Sequence, residues 1–122
     1  ELQLAGCALG PQGVRPVTES FARSSSLRRL NLGFNAVRAV GATHIAHLMV
    51  TNTSLEHLNI RCNELGIDGG AVIAAALREN AALKQLVISD NRIGTDNAVV
   101  IAGRLSGGVV DLGVSFSVQD VR

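Results

Sequence analysis

Residues 27–37 read LRRLNLGFNAV, and the same phrase returns as LEHLNIRCNEL at residues 55–65 and as LKQLVISDNRI at residues 83–93. The three copies share the pattern L-x-x-L-x-L-x-x-N-x-L, and they begin 28 residues apart. Self-similarity at a fixed period is typical of a repeat array, in which each copy forms one structural unit. The period therefore predicts the fold before any single residue is considered.

The pattern extends in both directions from these copies. Residues 2–9 repeat the same spacing, with Cys7 in the asparagine position. Three apolar residues starting at Val109 also repeat it, but they begin 26 residues after Leu83. We therefore predict a single domain, 1–122, with repeats at 1–26, 27–54, 55–82 and 83–108 and a degenerate unit at 109–122. Because the chain begins and ends inside repeats, we expect it to be a fragment of a longer array.

The segments between the phrases repeat as well. Apolar residues recur at positions 17, 45, 73 and 101, and again four residues after each of them. This spacing places the apolar residues on one side of a short amphipathic helix. Each unit is therefore predicted to be a strand, a turn and a helix.

This combination of period and helix resembles the ribonuclease-inhibitor type of leucine-rich repeat. Similar arrays occur in nucleotide-binding leucine-rich-repeat receptors, the Ran GTPase-activating protein, tropomodulin and several ciliary repeat proteins. The resemblance covers nearly the whole chain. It implies an α/β fold, a right-handed solenoid forming a horseshoe segment, with a parallel β-sheet on the concave side and α-helices on the convex side. It implies much less about function, because one fold serves many functions.

An asparagine follows each of the three predicted central strands, at Asn35, Asn63 and Asn91. A side-chain amide both donates and accepts hydrogen bonds, so it can satisfy backbone groups that a turn leaves unpaired inside the array. We interpret these residues as a structural ladder, and losing one should cost about 1–3 kcal/mol.

Every second strand residue should point away from the core, which defines a candidate surface on the concave face. The candidate protein-binding residues on this face and its rim are Arg29, Asn31, Phe34, His57, Asn59, Arg61 and Gln85. Across the sheet, the row of Arg29 also contains Glu1 and Asp111, and the row of Arg61 contains Ala5, Gly33, Ser89 and Ser115. Because the row of Arg29 carries charges of both signs, we expect a folded protein partner of mixed charge.

Within this set, Arg29, His57 and Arg61 are the best candidate contact cluster, since arginine is enriched among residues that dominate binding energy. Phe34 and Phe116 have two open interpretations: they anchor a partner at the rim, or they cover the ends of the core.

Composition narrows the classes of partner. A net charge of +1 argues against a nucleic-acid footprint, which needs a clustered basic face. The sequence has no apolar run long enough to span a membrane and no signal peptide. We expect another protein as the partner, and no nucleic acid, membrane or small-molecule substrate.

The histidines and glycines suggest enzyme chemistry only weakly. His44 and His47 have a spacing that could ligate a metal, but no third ligand is placed beside them by the repeat. No serine or cysteine nucleophile is paired with His57 by register. Gly66, Gly69 and Gly70 do not have the spacing of a phosphate-binding loop. We therefore expect no enzyme activity, metal or cofactor.

The two cysteines and one asparagine bear on location. Cys7 and Cys62 lie two repeats apart, about 10 Å at the strand spacing, which is too far for a disulfide. Free thiols favour an intracellular, cytoplasmic location, for example at the cytoskeleton or in a cilium. Asn52-Thr53-Ser54 is a formal glycosylation sequence, but we favour a structural role for Asn52 as a helix-end cap.

Three functions are compatible with these observations. The first is a non-catalytic interaction module, a scaffold or recognition segment of a cytoskeletal, ciliary or sensor assembly. The second is regulation of a GTPase, which the resemblance to the Ran GTPase-activating protein implies, although the acidic C-terminal region of that protein has no counterpart here. The third is a purely architectural spacer.

Overall fold

Strands and helices alternate along the chain. A computed structural model describes residues 1–80, 82–105 and 109–111. Its strands are β1 (Leu2–Gln3), β2 (Arg29–Asn31), β3 (His57–Asn59), β4 (Gln85–Val87) and β5 (Val109–Asp111). Its helices are α1 (Gly10–Phe21), α2 (Arg38–Thr51), α3 (Gly66–Arg78) and α4 (Thr95–Arg104).

The five strands form one parallel sheet in the order β1-β2-β3-β4-β5. Each helix packs on the next one along the chain, α1 on α2, α2 on α3 and α3 on α4. Leu30 of β2 lies opposite Leu58 of β3, which lies opposite Leu86 of β4, so neighbouring strands are offset by one full repeat. The predicted parallel sheet with a layer of helices is confirmed.

A single aliphatic core fills the space between the sheet and the helices. The central strand leucines Leu30, Leu58 and Leu86 are buried in it, and so are Ile45 of α2 and Ile73 of α3. In the first repeat the equivalent residues Leu2, Leu4 and Leu9 are only partly buried. Each repeat therefore depends on its neighbour to bury its apolar side, as expected for stacked units.

The last strand pairs in a different register from the predicted one. Asp111 lies opposite Val87, and Val109 lies opposite Gln85, whereas the leucine spacing predicts Asp111 opposite Gln85; that prediction is wrong. A shift of two residues leaves the alternation of inward and outward positions unchanged, so the apolar pattern does not distinguish the two registers. The rest of the predicted degenerate unit, residues 112–122 with Ser115 and Phe116, lies outside the described residues.

Each loop from a strand to the following helix contains three residues with positive φ. They occupy equivalent positions in four repeats, and eight of the twelve are not glycine. At the third position the backbone N–H groups of Gly10, Arg38 and Gly66 donate to carbonyl oxygens of the next repeat, at 2.8–2.9 Å. The left-handed conformation is therefore required by hydrogen bonds between repeats, whichever residue is present.

Arg38 is strained at this position, and glycine should relieve the strain. Its φ is +62°, and equivalent positions in the other repeats hold Gly10, Gly66 and Gly94. A non-glycine residue in the left-handed region costs about 1–2 kcal/mol. Glycine removes this cost, but its larger conformational entropy in the unfolded state cancels about half of the gain. We expect Arg38→Gly to raise the free energy of unfolding by about 0.5–1 kcal/mol, measured by urea unfolding. The exposed Arg38–Glu64 pair, 3.9 Å apart, contributes little that would be lost.

Gly66→Ala is the matched control for this prediction. A Cβ at Gly66 meets nothing within 4 Å, so the only cost of alanine there is the positive φ. We expect Gly66→Ala to lower the free energy of unfolding by about 1 kcal/mol. Equal stability of all three proteins would contradict the strain argument.

Candidate interaction surface

The side of the sheet opposite the helices carries a regular pattern of polar side chains. We call this side the strand face; on β2, β3 and β4 its outward residues are Arg29, Asn31, His57, Asn59, Gln85 and Val87. Arg29 is exposed and the other five are half-buried, while the leucine between each pair is buried. Parallel register places Arg29, His57 and Gln85 side by side on three adjacent strands.

His57 and Gln85 are joined by a hydrogen bond across β3 and β4. Nδ1 of His57 lies 2.7 Å from Oε1 of Gln85, so with that oxygen as acceptor Nδ1 carries the proton. The residues of this row line an open depression of about 170 Å³, which also borders Glu1 and Gln3 of the first repeat. The bond restrains two side chains in the middle of the face before any partner arrives.

Asn31 and Asn59 turn partly back toward their own chains. Oδ1 of Asn31 accepts from the N–H of Gly33, and Oδ1 of Asn59 accepts from the N–H of Arg61, both at 2.9 Å. Both bonds lie where β2 and β3 end, after Asn31 and Asn59. The side-chain oxygens of both asparagines are therefore already used within the chain.

The third predicted row is not an outward row. Gly33 and Ser89 are buried, and only Arg61 among the three central members is exposed, so the prediction is wrong for Gly33 and Ser89. Each strand has already ended two residues before this position. A Cβ on Gly33 would lie 3.2 Å from Oδ1 of Asn31, which shows how closely the asparagine covers the glycine.

Arg61 belongs to a second group at the rim of the sheet. Its guanidinium lies over the ring of Phe34, with Cζ 5.5 Å from the ring centroid, and its Nε donates to Oδ2 of Asp90 at 2.8 Å. We call Phe34, Arg61 and Asp90 the rim cluster; they come from three successive repeats. Arg61 is therefore grouped with Phe34, and the predicted cluster of Arg29, His57 and Arg61 is divided between two places.

Phe34 is open to solvent rather than packed over the core. Its side chain is 53% exposed, and its φ is +60°. Of the two sequence interpretations, this exposure is incompatible with a ring that covers the end of the core. An exposed aromatic ring stacked on an arginine combines two residue types that are enriched at binding hot spots.

Beneath this surface, the asparagines after the strands connect neighbouring repeats. Asn63 is fully buried, and its Nδ2 donates to the carbonyl oxygens of Leu32, Ile60 and Arg61. Its Oδ1 accepts from the N–H groups of Asn35 and Val37.

The other two asparagines repeat this arrangement. Asn35 donates to Leu4 of the first repeat and accepts from the N–H groups of Cys7 and Leu9. Asn91 donates to Ile60 and accepts from Asn63 in the same way. Each amide thus completes the turn of the preceding repeat and holds the loop from which the rim cluster projects.

A second set of polar residues connects the repeats at the opposite edge, where helices end and strands begin. Nδ2 of Asn52 donates to the carbonyl oxygens of Phe21 and Ser24, and its Oδ1 accepts from the N–H groups of Ser54 and Leu55. Asn80 repeats part of this arrangement by donating to Met49, one repeat earlier.

Asn52 is at the C-terminal end of α2, as predicted, and its N–H donates to the carbonyl oxygen of Leu48. The role of its side chain between repeats was not predicted. The backbone of Asn52 is extended, with φ −80° and ψ 132°, so it does not form the left-handed cap that asparagine favours. The signal was present, because Ser24, Asn52 and Asn80 share one repeat position.

The remaining candidates for chemistry stay separate. His44 is half-buried and His47 exposed on α2, and the described residues contain no group of three or more potential ligands around a metal position. Cys7 and Cys62 are both free thiols. Within the described residues, no helix has the length and apolar character needed to cross a membrane.

Comparison with known proteins agrees with this geometry. The family model described as Leucine Rich repeat matches residues 23–46 and 51–74, which contain β2 with most of α2 and β3 with most of α3. A search of curated proteins found no match to the sequence. Leucine-rich repeats are typically non-catalytic modules that mediate protein–protein interaction. Over these two segments, the chain is similar to leucine-rich repeat proteins.

Proposed function

We propose that the chain is a protein–protein interaction module whose strand face is its recognition surface. In this proposal the repeats are of the ribonuclease-inhibitor type, and the array is a right-handed horseshoe with the strand face on its concave side. The observation that carries the proposal is the row of Arg29, His57 and Gln85, aligned on three adjacent strands and restrained by the His57–Gln85 bond. A restrained surface loses less side-chain entropy on binding.

The chemistry of this surface suits a folded protein better than a small ligand. The depression on the face holds only about 170 Å³, whereas small-molecule sites are concave clefts of about 300–1,000 Å³ that bury most of their ligand. The outward groups on this face are an exposed cation and a half-buried imidazole and amides, which favour a partner surface with both donors and acceptors. The rim cluster adds a stacked aromatic ring at the border of the face.

Photo-crosslinking from matched positions tests the proposal. A photoreactive phenylalanine analogue is placed at Arg29 on the strand face and, in a second protein, at Val99, which is exposed on α4. We expect a partner protein from cell extract to be crosslinked from position 29 and not from position 99. Crosslinking from position 99 alone would move recognition to the helix layer, and no crosslink from either position would favour the spacer function.

Alanine variants then measure how much the face contributes to binding. Combined Arg29→Ala and His57→Ala substitutions should weaken binding of the crosslinked partner by about tenfold or more, since a few residues carry most of the energy of an interface. Val99→Ala is the control and should leave the affinity unchanged. Phe34→Ala with Arg61→Ala is measured separately, because the rim cluster is spatially distinct from the row. An unchanged affinity for the Arg29/His57 variant would contradict the proposal.

We further propose an intracellular location, for instance within a scaffold at the cytoskeleton or in a cilium. The two free cysteines support it, because thiols persist in reducing compartments. Fluorescence microscopy of the tagged protein in cells tests this location. Accumulation in the secretory pathway would contradict it.

A further inference from the structure

The charged residues divide unequally between the two edges of the array. We define the strand-start edge as the helix ends and loops that lead into strands, and the strand-end edge as the loops and first helical turns that follow strands. The strand-start edge carries the basic residues Arg23, Arg28, Arg78, Lys84 and Arg104 and the acidic residues Glu1, Glu56 and Glu79. The strand-end edge carries Arg38, Arg61 and Arg92 with Glu64, Asp68, Asp90 and Asp96.

Ion pairing increases this inequality. Two of the three strand-end arginines have carboxylate partners, in the pairs Arg38–Glu64 and Arg61–Asp90. At the strand-start edge only Lys84 is paired, with Glu56 at 3.6 Å. The four arginines of that edge have no carboxylate within 4.0 Å in the part of the chain that the structure describes.

Two of these four arginines do have a structural contact. Arg28 donates from Nη1 to the carbonyl oxygen of Ser54, and Arg104 donates from Nη2 to that of Arg78. Each bond holds a guanidinium against the edge and leaves its charge uncompensated by an acid. Basic residues near helix ends are also favoured by the helix dipole, which accounts for Arg78 and Arg104 alone. Arg23 and Arg28 lie in the loop before β2 and need another explanation.

A depression of about 290 Å³ lies between the unpaired arginines. It is bordered by the ends of α2 and α3, and its lining residues include Val50, Thr53 and Ala82 and one carboxylate, that of Glu79. The loop with Arg23 and Arg28 precedes it in the order of repeats, and Arg104 follows it. Val50 is 47% exposed, so the depression offers apolar contact between two basic regions.

We propose that the strand-start edge binds an acidic segment of a partner protein, with carboxylates on the unpaired arginines and one apolar side chain in the depression beside Val50. Guanidinium groups suit this ligand because their planar N–H donors match a carboxylate in geometry and charge. The site is separate from the strand face and does not depend on the function proposed for it.

Other polyanions fit the edge less well. Single-stranded nucleic acid is bound by stacking bases on aromatic rings, and the described residues of this edge include no exposed aromatic side chain. A membrane surface is bound by basic residues together with several inserted apolar side chains. Val50 is the one exposed large apolar residue among the described residues of the edge.

The test uses a short fluorescein-labelled peptide in which glutamates flank a central leucine, with a glutamine version as the neutral control. Binding to the whole chain is followed by fluorescence anisotropy at low ionic strength, where exposed charges are least screened. We expect the glutamate peptide to bind at least about tenfold more tightly than the glutamine peptide. Arg23→Glu and Arg78→Glu should each weaken it by about fivefold, and the double variant by more.

Arg92→Glu is the matched control, because Arg92 is exposed and unpaired among the described residues but lies at the strand-end edge. It should leave peptide binding nearly unchanged, and circular dichroism should show that each variant is folded. Equal weakening by Arg92→Glu would overturn the proposal in favour of general attraction to charge. Loss of peptide binding in the Arg29/His57 alanine variant alone would also overturn it, by moving the site to the strand face.

Two further probes distinguish the class of partner. A single-stranded RNA oligonucleotide and phosphatidylserine vesicles are tested with the same charge-reversal variants. If either probe binds more tightly than the glutamate peptide and the double variant loses that binding, the proposal is overturned. The natural ligand of the edge would then be RNA or a membrane rather than an acidic protein segment. Weaker binding of both supports it.

Discussion

Replacing Asn63 by alanine should lower the free energy of unfolding by about 4 kcal/mol, because the change leaves several buried polar groups without partners. The amide donates to three backbone carbonyl oxygens and accepts from two backbone N–H groups, in two different repeats. An unsatisfied buried group costs about 1–3 kcal/mol, and alanine also leaves a small cavity. The loss of about 1–3 kcal/mol expected from the sequence, which counts one unpaired polar group, is therefore too small for Asn63.

Asn59→Ala provides the control in the same repeat. Asn59 is half-buried, and its side chain makes one local hydrogen bond, to the N–H of Arg61. Its replacement should cost less than about 1 kcal/mol. Urea unfolding followed by circular dichroism is the suitable measurement, since the chain has no tryptophan or tyrosine to report by fluorescence. Similar losses for the two variants would contradict the ladder as the main source of the effect.

Replacing Asn52 by alanine should cost about 3 kcal/mol, because its amide links two repeats at the opposite edge of the array. Asn52 is 2% exposed, and its side chain hydrogen-bonds to backbone groups of Phe21, Ser24, Ser54 and Leu55. Thr53→Ala, at an exposed neighbouring residue, should change the free energy of unfolding by less than about 0.5 kcal/mol. An Asn52→Ala protein as stable as Thr53→Ala would contradict this role.

The same hydrogen bonds decide whether Asn52 can carry a glycan. An N-linked sugar is attached to Nδ2, the atom that donates to the carbonyl oxygens of Phe21 and Ser24. A glycan there would displace both bonds and could not fit a buried site. We therefore expect that, if the chain is forced through a secretory pathway, folded protein has an unmodified Asn52, as mass spectrometry of the purified protein would show. Glycan on folded protein would contradict this geometry.

The periodic part of the structure could be predicted from the sequence. Leu30, Leu58 and Leu86 recur at one spacing, and strands that pair in the register of the repeat place all three inside. The strands, the helices and the position of the core follow from this repetition. The register of β5 could not be predicted in this way. Its two-residue shift keeps the same residues facing inward and outward and alters only which residues are paired.

The candidate surface could be predicted only where the strands continue. Arg29, His57 and Gln85 lie within strands, so alternation identifies their direction. Gly33 and Ser89 lie after the strands have ended, and alternation no longer applies to them. The position of the Arg61 guanidinium depends on its hydrogen bond to Asp90 of the next repeat, which the long arginine side chain can reach. Such contacts between repeats are not encoded in the spacing of one repeat.

The direction of the asparagine hydrogen bonds has a consequence for how the chain is made. The turn of each repeat is completed by an amide from the repeat that follows it. The N–H groups of Cys7 and Leu9 donate to Oδ1 of Asn35. In the next repeat, the N–H groups of Asn35 and Val37 donate to Oδ1 of Asn63. A ribosome synthesises the chain from the N-terminus. The N–H groups of each turn therefore lack their native acceptor until the next repeat has left the exit tunnel. Folding during translation would then always lag the nascent chain by one repeat.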